Sequence, residues 1–155
     1  MSNQVPAWQG PILDNHFHLN RNGRYLDAAH DFKRAGGTNI VLIHCPDFAS
    51  PPTTKEGHRA AYQNTIAMAE SVRTELDLHV RVVLGPHPAA FAHQFIEWVE
   101  QEGSKGKNRA IENYRDSIDE AVKFYHEGNA HAIGEVGRPH WEVSQEIWDL
   151  SLIHI

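Results

Sequence analysis

The run Asn39-Ile40-Val41-Leu42-Ile43-His44 is short, almost continuously apolar and rich in β-branched residues. A run of this kind reads as a strand buried on both faces, as in parallel sheets. Val80-Arg81-Val82-Val83-Leu84-Gly85 repeats the pattern, and the segments Ile12–Leu19 and Ala130–Val136 read as two further strands. Helical periodicity fills the gaps between them. Tyr25, Ala28, Ala29, Phe32 and Ala35 form a stripe stopped by Gly36-Gly37, a C-terminal cap signal. Thr53 and Glu56 have the spacing of a capping box, and the stripe Tyr62, Ile66, Ala69, Val72, Leu76 follows. Phe91, Phe95, Trp98 and Val99 mark a third helix, and the polar stretch Gly103–Asn108 reads as a break or a loop. Ile111, Tyr114, Ile118, Ala121 and Tyr125 resume a helical face; Ser144 can cap a last helix through Ile147, Trp148 and Leu150. The order β-α-β-α-β-αα-β-α predicts right-handed crossovers and an α/β fold with parallel strands.

Chemistry collects at the strand ends. His16 and His18 lie two apart on the first strand. Residues at that spacing project from one face, which suits two ligands on one cation. His44 ends the second strand, His87 follows the third and Glu135 lies near the end of the fourth. In parallel α/β folds these ends converge on one face, where active sites lie. Buried imidazoles and carboxylates need partners, and a metal supplies one. His44 can line the pocket or pack as a plain strand-end residue. Asp14 can orient an imidazole or form a turn. Arg138 and His140 follow the glutamate and can meet an anion or solvent. Cys45 reads as a small core residue, Trp98 and Trp141 as packing anchors, and His30, His58, His79, His93, His126 and His131 as structural.

Composition narrows the class. The chain has 155 residues, 14 Lys+Arg against 20 Asp+Glu, and a formal charge of -6. That balance argues against a broad phosphate-coating surface but permits a local phosphate pocket. No apolar stretch approaches the ~20 residues of a membrane span, and Met1-Ser2-Asn3-Gln4 has no signal-peptide design. One cysteine excludes an internal disulfide framework and predicts a reducing, cytoplasmic setting.

Asp14-Asn15-His16-Phe17-His18-Leu19 resembles the opening signature of the amidohydrolase superfamily. Gly85-Pro86-His87-Pro88 and Ile133-Gly134-Glu135-Val136-Gly137 narrow the resemblance to the TatD-like metal-dependent hydrolases. The resemblance implies a TIM-type (β/α)8 barrel with one or two divalent ions (Zn, Mn or Mg) at its C-terminal face. His16 and His18 would hold the first ion, and Glu135 would bridge or bind beside it. His87 sits near the metal face in relatives and would contact a substrate phosphate; His44, Arg138 and His140 are added as substrate-facing candidates from their positions alone. Family members cleave phosphodiester bonds, notably as deoxyribonuclease-like enzymes, so the implied substrate is a small phosphoester or a nucleic-acid end. Where relatives continue with Leu-Asp after Gly-Glu-x-Gly, this chain has Arg138-Pro139-His140-Trp141.

The family's acid/base is an aspartate at the end of strand eight. Such barrels take about 250 residues, so four strands predict the first half, about (β/α)4. Residues 1–155 are then a single, C-terminally truncated domain, and open sheet edges predict self-association. His154, in the apolar tail, is not taken as a ligand. Three alternatives stay open: an amidohydrolase acting on a lactone, amide or cyclic imide, a non-catalytic fragment with a weak metal site, and a natural half-barrel pairing with a second copy.

Overall fold

The computed structural model describes residues 8–151; Met1–Gln4 and His154 lie outside the described residues. Four strands form one sheet: β1 (Leu13–Phe17), β2 (Asn39–Ile43), β3 (His79–Leu84) and β4 (Ala132–Ile133). Five helices connect or follow them: α1 (Tyr25–Arg34), α2 (Lys55–Leu76), α3 (Pro88–Glu102), α4 (Ser104–His126) and α5 (Gln145–Ser151). The strand order is β1-β2-β3-β4, and every pairing is parallel. Four parallel strands with intervening helices form part of a (β/α) barrel, as the alternation of elements predicts. No helix of the described residues is long and apolar enough to cross a membrane.

The core lies on one face of the sheet. Ile40 and Leu42 of β2 and Val80, Val82 and Leu84 of β3 pack on Ala29, Tyr62, Met68, Val72, Ala121 and Phe124. Burying an aliphatic or aromatic side chain there stabilises the fold by roughly 1.5–3 kcal/mol each. The opposite face has no helical layer among the described residues. Leu13 is 57% and Ile133 38% exposed, and His79 and Arg81 of β3 face solvent. The apolar runs in β2 and β3 therefore do not mean burial on both faces here; burial alternates with the two-residue period of a strand. A second cluster joins α3, α4 and α5 through Phe91, Phe95, Trp98, Tyr114, Ile118 and Ile147.

Three local readings change. Of the two readings of Gly103–Asn108 the break holds, but it narrows to one residue. Gly103 turns the chain at φ +60° and α4 starts at Ser104. Gly106 sits inside that helix because a Cβ there would come within 1.8 Å of the Trp98 carbonyl oxygen. The cap of α2 is Thr54, whose hydroxyl accepts from the Gly57 N–H at 3.1 Å, not Thr53. The first and last strands are shorter than their apolar segments, so His18 and Glu135 stand just beyond β1 and β4. Ser144 does cap α5, its Oγ accepting from the Ile147 N–H at 3.4 Å.

Candidate metal centre

Backbone contacts set each strand end. Asp14 Oδ1 accepts from the His16 N–H at 2.9 Å, which fixes the chain where the β1–β2 register shifts. Beyond β1, His18 Nδ1 lies 3.1 Å from the carbonyl oxygen of Ile43, the last residue of β2. A carbonyl only accepts, so Nδ1 carries the hydrogen and Nε2 is left with a bare lone pair. Across the sheet, the Gly134 N–H donates to Leu84 O at 2.9 Å. Gly85 allows that approach, since a Cβ there would lie 2.7 Å from the Gly134 oxygen. Glu135 follows directly.

The result is a tight group. His16 Nε2 stands 3.0 Å from His18 Nε2 and 3.2 Å from Glu135 Oε1. One ligand atom from each of His16, His18 and Glu135 falls within 4.8 Å of the others. Bonds of about 2.0–2.2 Å to one ion would separate neighbouring ligand atoms by roughly 3 Å. The donor set, two imidazoles and a carboxylate, suits a divalent transition ion. Glu135 Oε2 supplies a further sign of fit. His87 Nε2 lies 3.2 Å away, within ion-pair range but out of hydrogen-bonding alignment, so this buried oxygen has no hydrogen-bond partner. An orphaned carboxylate oxygen is costly unless something cationic or hydrogen-bearing meets it.

His87 has the opposite polarity from His18. It caps α3, its Nδ1 accepting from the Ala89 N–H at 3.1 Å. The neutral ring then carries its hydrogen on Nε2, the atom that faces Glu135. Burial lowers its pKa; Glu135 opposes that shift, while His18, His16 and His140 reinforce it. His87 is thus a neutral donor beside the cluster.

His44 lies behind it, 6% exposed. Its Nδ1 is 2.8 Å from Thr65 Oγ1, and its ring stands edge-to-face with Tyr62 at 4.8 Å. Burial holds its pKa at about 3, with His58, His87 and His18 adding to the effect. A small pocket is lined by His44, His87 and a polar group made of His58, read from the sequence as structural, with Gln94 and Asn113, which sequence reasoning missed. Asn113 Nδ2 donates to Pro52 O at 3.1 Å and Gln94 Oε1 at 3.0 Å, while its Oδ1 lies 2.9 Å from His58 Nε2. Gln94 Nε2 also donates to Pro52 O, at 3.1 Å. These bonds anchor the loop between β2 and α2.

Arg138 and His140 are held on aromatic rings. The Arg138 guanidinium lies 4.3 Å from the Trp148 ring centre, and His140 meets Trp141 edge-to-face at 5.0 Å. The Cys45 pKa is raised by burial and then by Glu135, so its thiol stays protonated.

Comparison with known proteins places this arrangement. The chain is 26% identical over 144 residues to an uncharacterized protein of Methanocaldococcus jannaschii, covering 91% of this chain and 47% of that protein. The chain thus spans about half the length of the curated relative it matches. No solved structure matches it. The family described as TatD related DNase matches residues 13–151. That match opens on the first residue of β1 and closes on the last of α5, so the chain belongs to the TatD related DNase family.

Proposed function

We propose that this chain is the metal-binding part of a hydrolase that cleaves phosphoester bonds, with a nucleic-acid end or a small phosphoester as substrate. The observation that carries the reading is the convergence of His16, His18 and Glu135, with the His18 Nε2 lone pair turned into the group and Glu135 Oε2 without a hydrogen bond. A divalent ion (Zn, Mn or Mg) bound there supplies Lewis acidity at a phosphoryl oxygen and lowers the pKa of water. The chain's own residues do the rest. The Ile43 carbonyl fixes the His18 tautomer and ring plane. Neutral His87 adds no charge beside a cation and offers Nε2–H to a phosphate oxygen. His44 backs the His87 pocket. Arg138 and His140, on the segment after Glu135, meet the substrate's outlying anionic groups. The general acid/base and any further ligands are proposed to come from the rest of the barrel, because this chain corresponds to half of a longer relative.

Calorimetric titration with Mn²⁺ or Zn²⁺ tests the site. Wild-type chain should bind, and the His16→Ala/His18→Ala double variant should not; equal binding by both would overturn the assignment. A protein extended to the relative's length should then hydrolyse a chromogenic phosphodiester rather than a lactone, and lose turnover in Glu135→Gln.

A further inference from the structure

Next to the metal cluster stands an exposed aromatic that no step above uses. Phe48, on the loop between β2 and α2, is 51% exposed. Its ring meets His87 edge-to-face, with centroids 5.1 Å apart and an interplanar angle of 85°. His87 in turn reaches Glu135 Oε2 at 3.2 Å. On its other side Phe48 borders a shallow depression lined by Phe48, Pro51, Ala90 and His93. His93 is itself stacked at a tilt on Trp141, with centroids 5.5 Å apart. The depression is therefore flanked by two rings, one leading to the cluster and one braced from behind. None of its four lining residues is acidic, although the chain carries a net charge of -6. The loop that presents Phe48 is fixed at Pro52, whose carbonyl accepts from both Gln94 and Asn113. The adjacent carboxylate, Asp47, is engaged with the Ala49 N–H at 3.0 Å. Rigid, half-exposed aromatics beside a phosphate-directed site are how proteins hold unstacked bases.

We infer that Phe48 and His93 form a nucleobase-stacking subsite that seats the base next to the scissile phosphoester. The inference rests on the phosphoester reading and makes its substrate class narrower: a nucleotide-bearing phosphodiester whose base is unpaired. That base belongs either to a free dinucleotide or to the end of a single strand. Stacking is indifferent to base identity, so the subsite selects unpaired ends without selecting sequence.

Binding, not turnover, tests this. A fluorescent purine analogue is placed at the end of a dinucleotide and of a short single strand, and its quenching is followed with chelator present. Wild-type chain should quench it. Phe48→Ala should weaken binding about five- to a hundred-fold, and Phe48→Trp should retain it. Phe48 is half-exposed, so a far-ultraviolet spectrum and melt should confirm that both variants fold. Tighter binding of the strand than of the dinucleotide would mark a strand end as the source; equal binding would mark the dinucleotide. Equal affinity in Phe48→Ala, absence of quenching by wild type, or undiminished binding of an abasic strand would overturn the inference. Parallel Mn²⁺ titration separates the two claims. A chain that takes up Mn²⁺ but does not quench refutes the subsite alone, whereas failure to bind Mn²⁺ refutes the functional reading.

Discussion

Two groups of histidines, one at the end of β1 and one behind it at the end of β2 and the start of α2, behave in opposite ways. His16 and His18 are exposed and close to a carboxylate, and their Nε2 atoms face each other at 3.0 Å. His44 and His58 are buried, tied to Thr65 and Asn113, and depressed in pKa by burial. His44 shares the strand-end position of His16 and His18, so position alone does not separate it from them; the partner of each ring nitrogen does. A nitrogen whose twin donates to a carbonyl keeps its lone pair for the proposed metal site, while a ring enclosed by protein polar groups holds the fold.

The largest effect expected from breaking this contrast is on metal affinity. Removing both exposed imidazoles should lower Mn²⁺ or Zn²⁺ affinity more than about a hundred-fold, beyond what loss of outer-shell partners costs. The melting temperature of the metal-free chain should hardly move. The reverse should hold at the buried group. Asn113→Ala leaves Pro52 O, Gln94 Oε1 and His58 Nε2 each short of a bond. We expect about 2–4 kcal/mol of lost stability in urea titration, with metal affinity little changed by comparison.

Acid should act on the buried group too. The fold keeps His44 unprotonated down to about 3, while the unfolded chain takes up its proton near 6.5. Between those values the unfolded state binds more protons, so stability is complete above 6.5 and falls as pH drops towards about 3. The slope from this one group should approach, at most, about 1.4 kcal/mol per pH unit, and His44→Gln should flatten it. His58, also lowered by burial, adds in the same direction. A stability profile indifferent to His44→Gln would break the contrast. The smallest effect is expected at Arg138, whose ring contact with Trp148 contributes roughly 0.5–1 kcal/mol. Arg138→Ala should shift the melt only slightly.

Much of this was readable in the chain. Parallel order follows from alternating strand and helix patterns, and the approach of Glu135 to the His16–His18 pair follows from strand-end position. Other features leave no local trace. The His58–Asn113 and Asn113–Pro52 bonds join residues 55 and 61 apart in sequence. Gly106 looks like loop punctuation until the Trp98 backbone is seen against it. One-sided burial of β2 and β3 is also invisible, because Val41 and Val83 are as apolar as Leu42 and Val82 whatever covers them. Phe48 is missed for the same reason: one aromatic in a loop has no periodicity to mark it.

The strand order has a consequence for how the chain comes to be folded. Because neighbours in the sheet are also neighbours in the chain, each strand closes onto its predecessor across a helical crossover. No strand must wait for a segment synthesised much later. A nascent chain can therefore add its βα units one at a time as they leave the ribosome. The histidine pair on β1 would then be in place early, with the carboxylate arriving last to close the cluster.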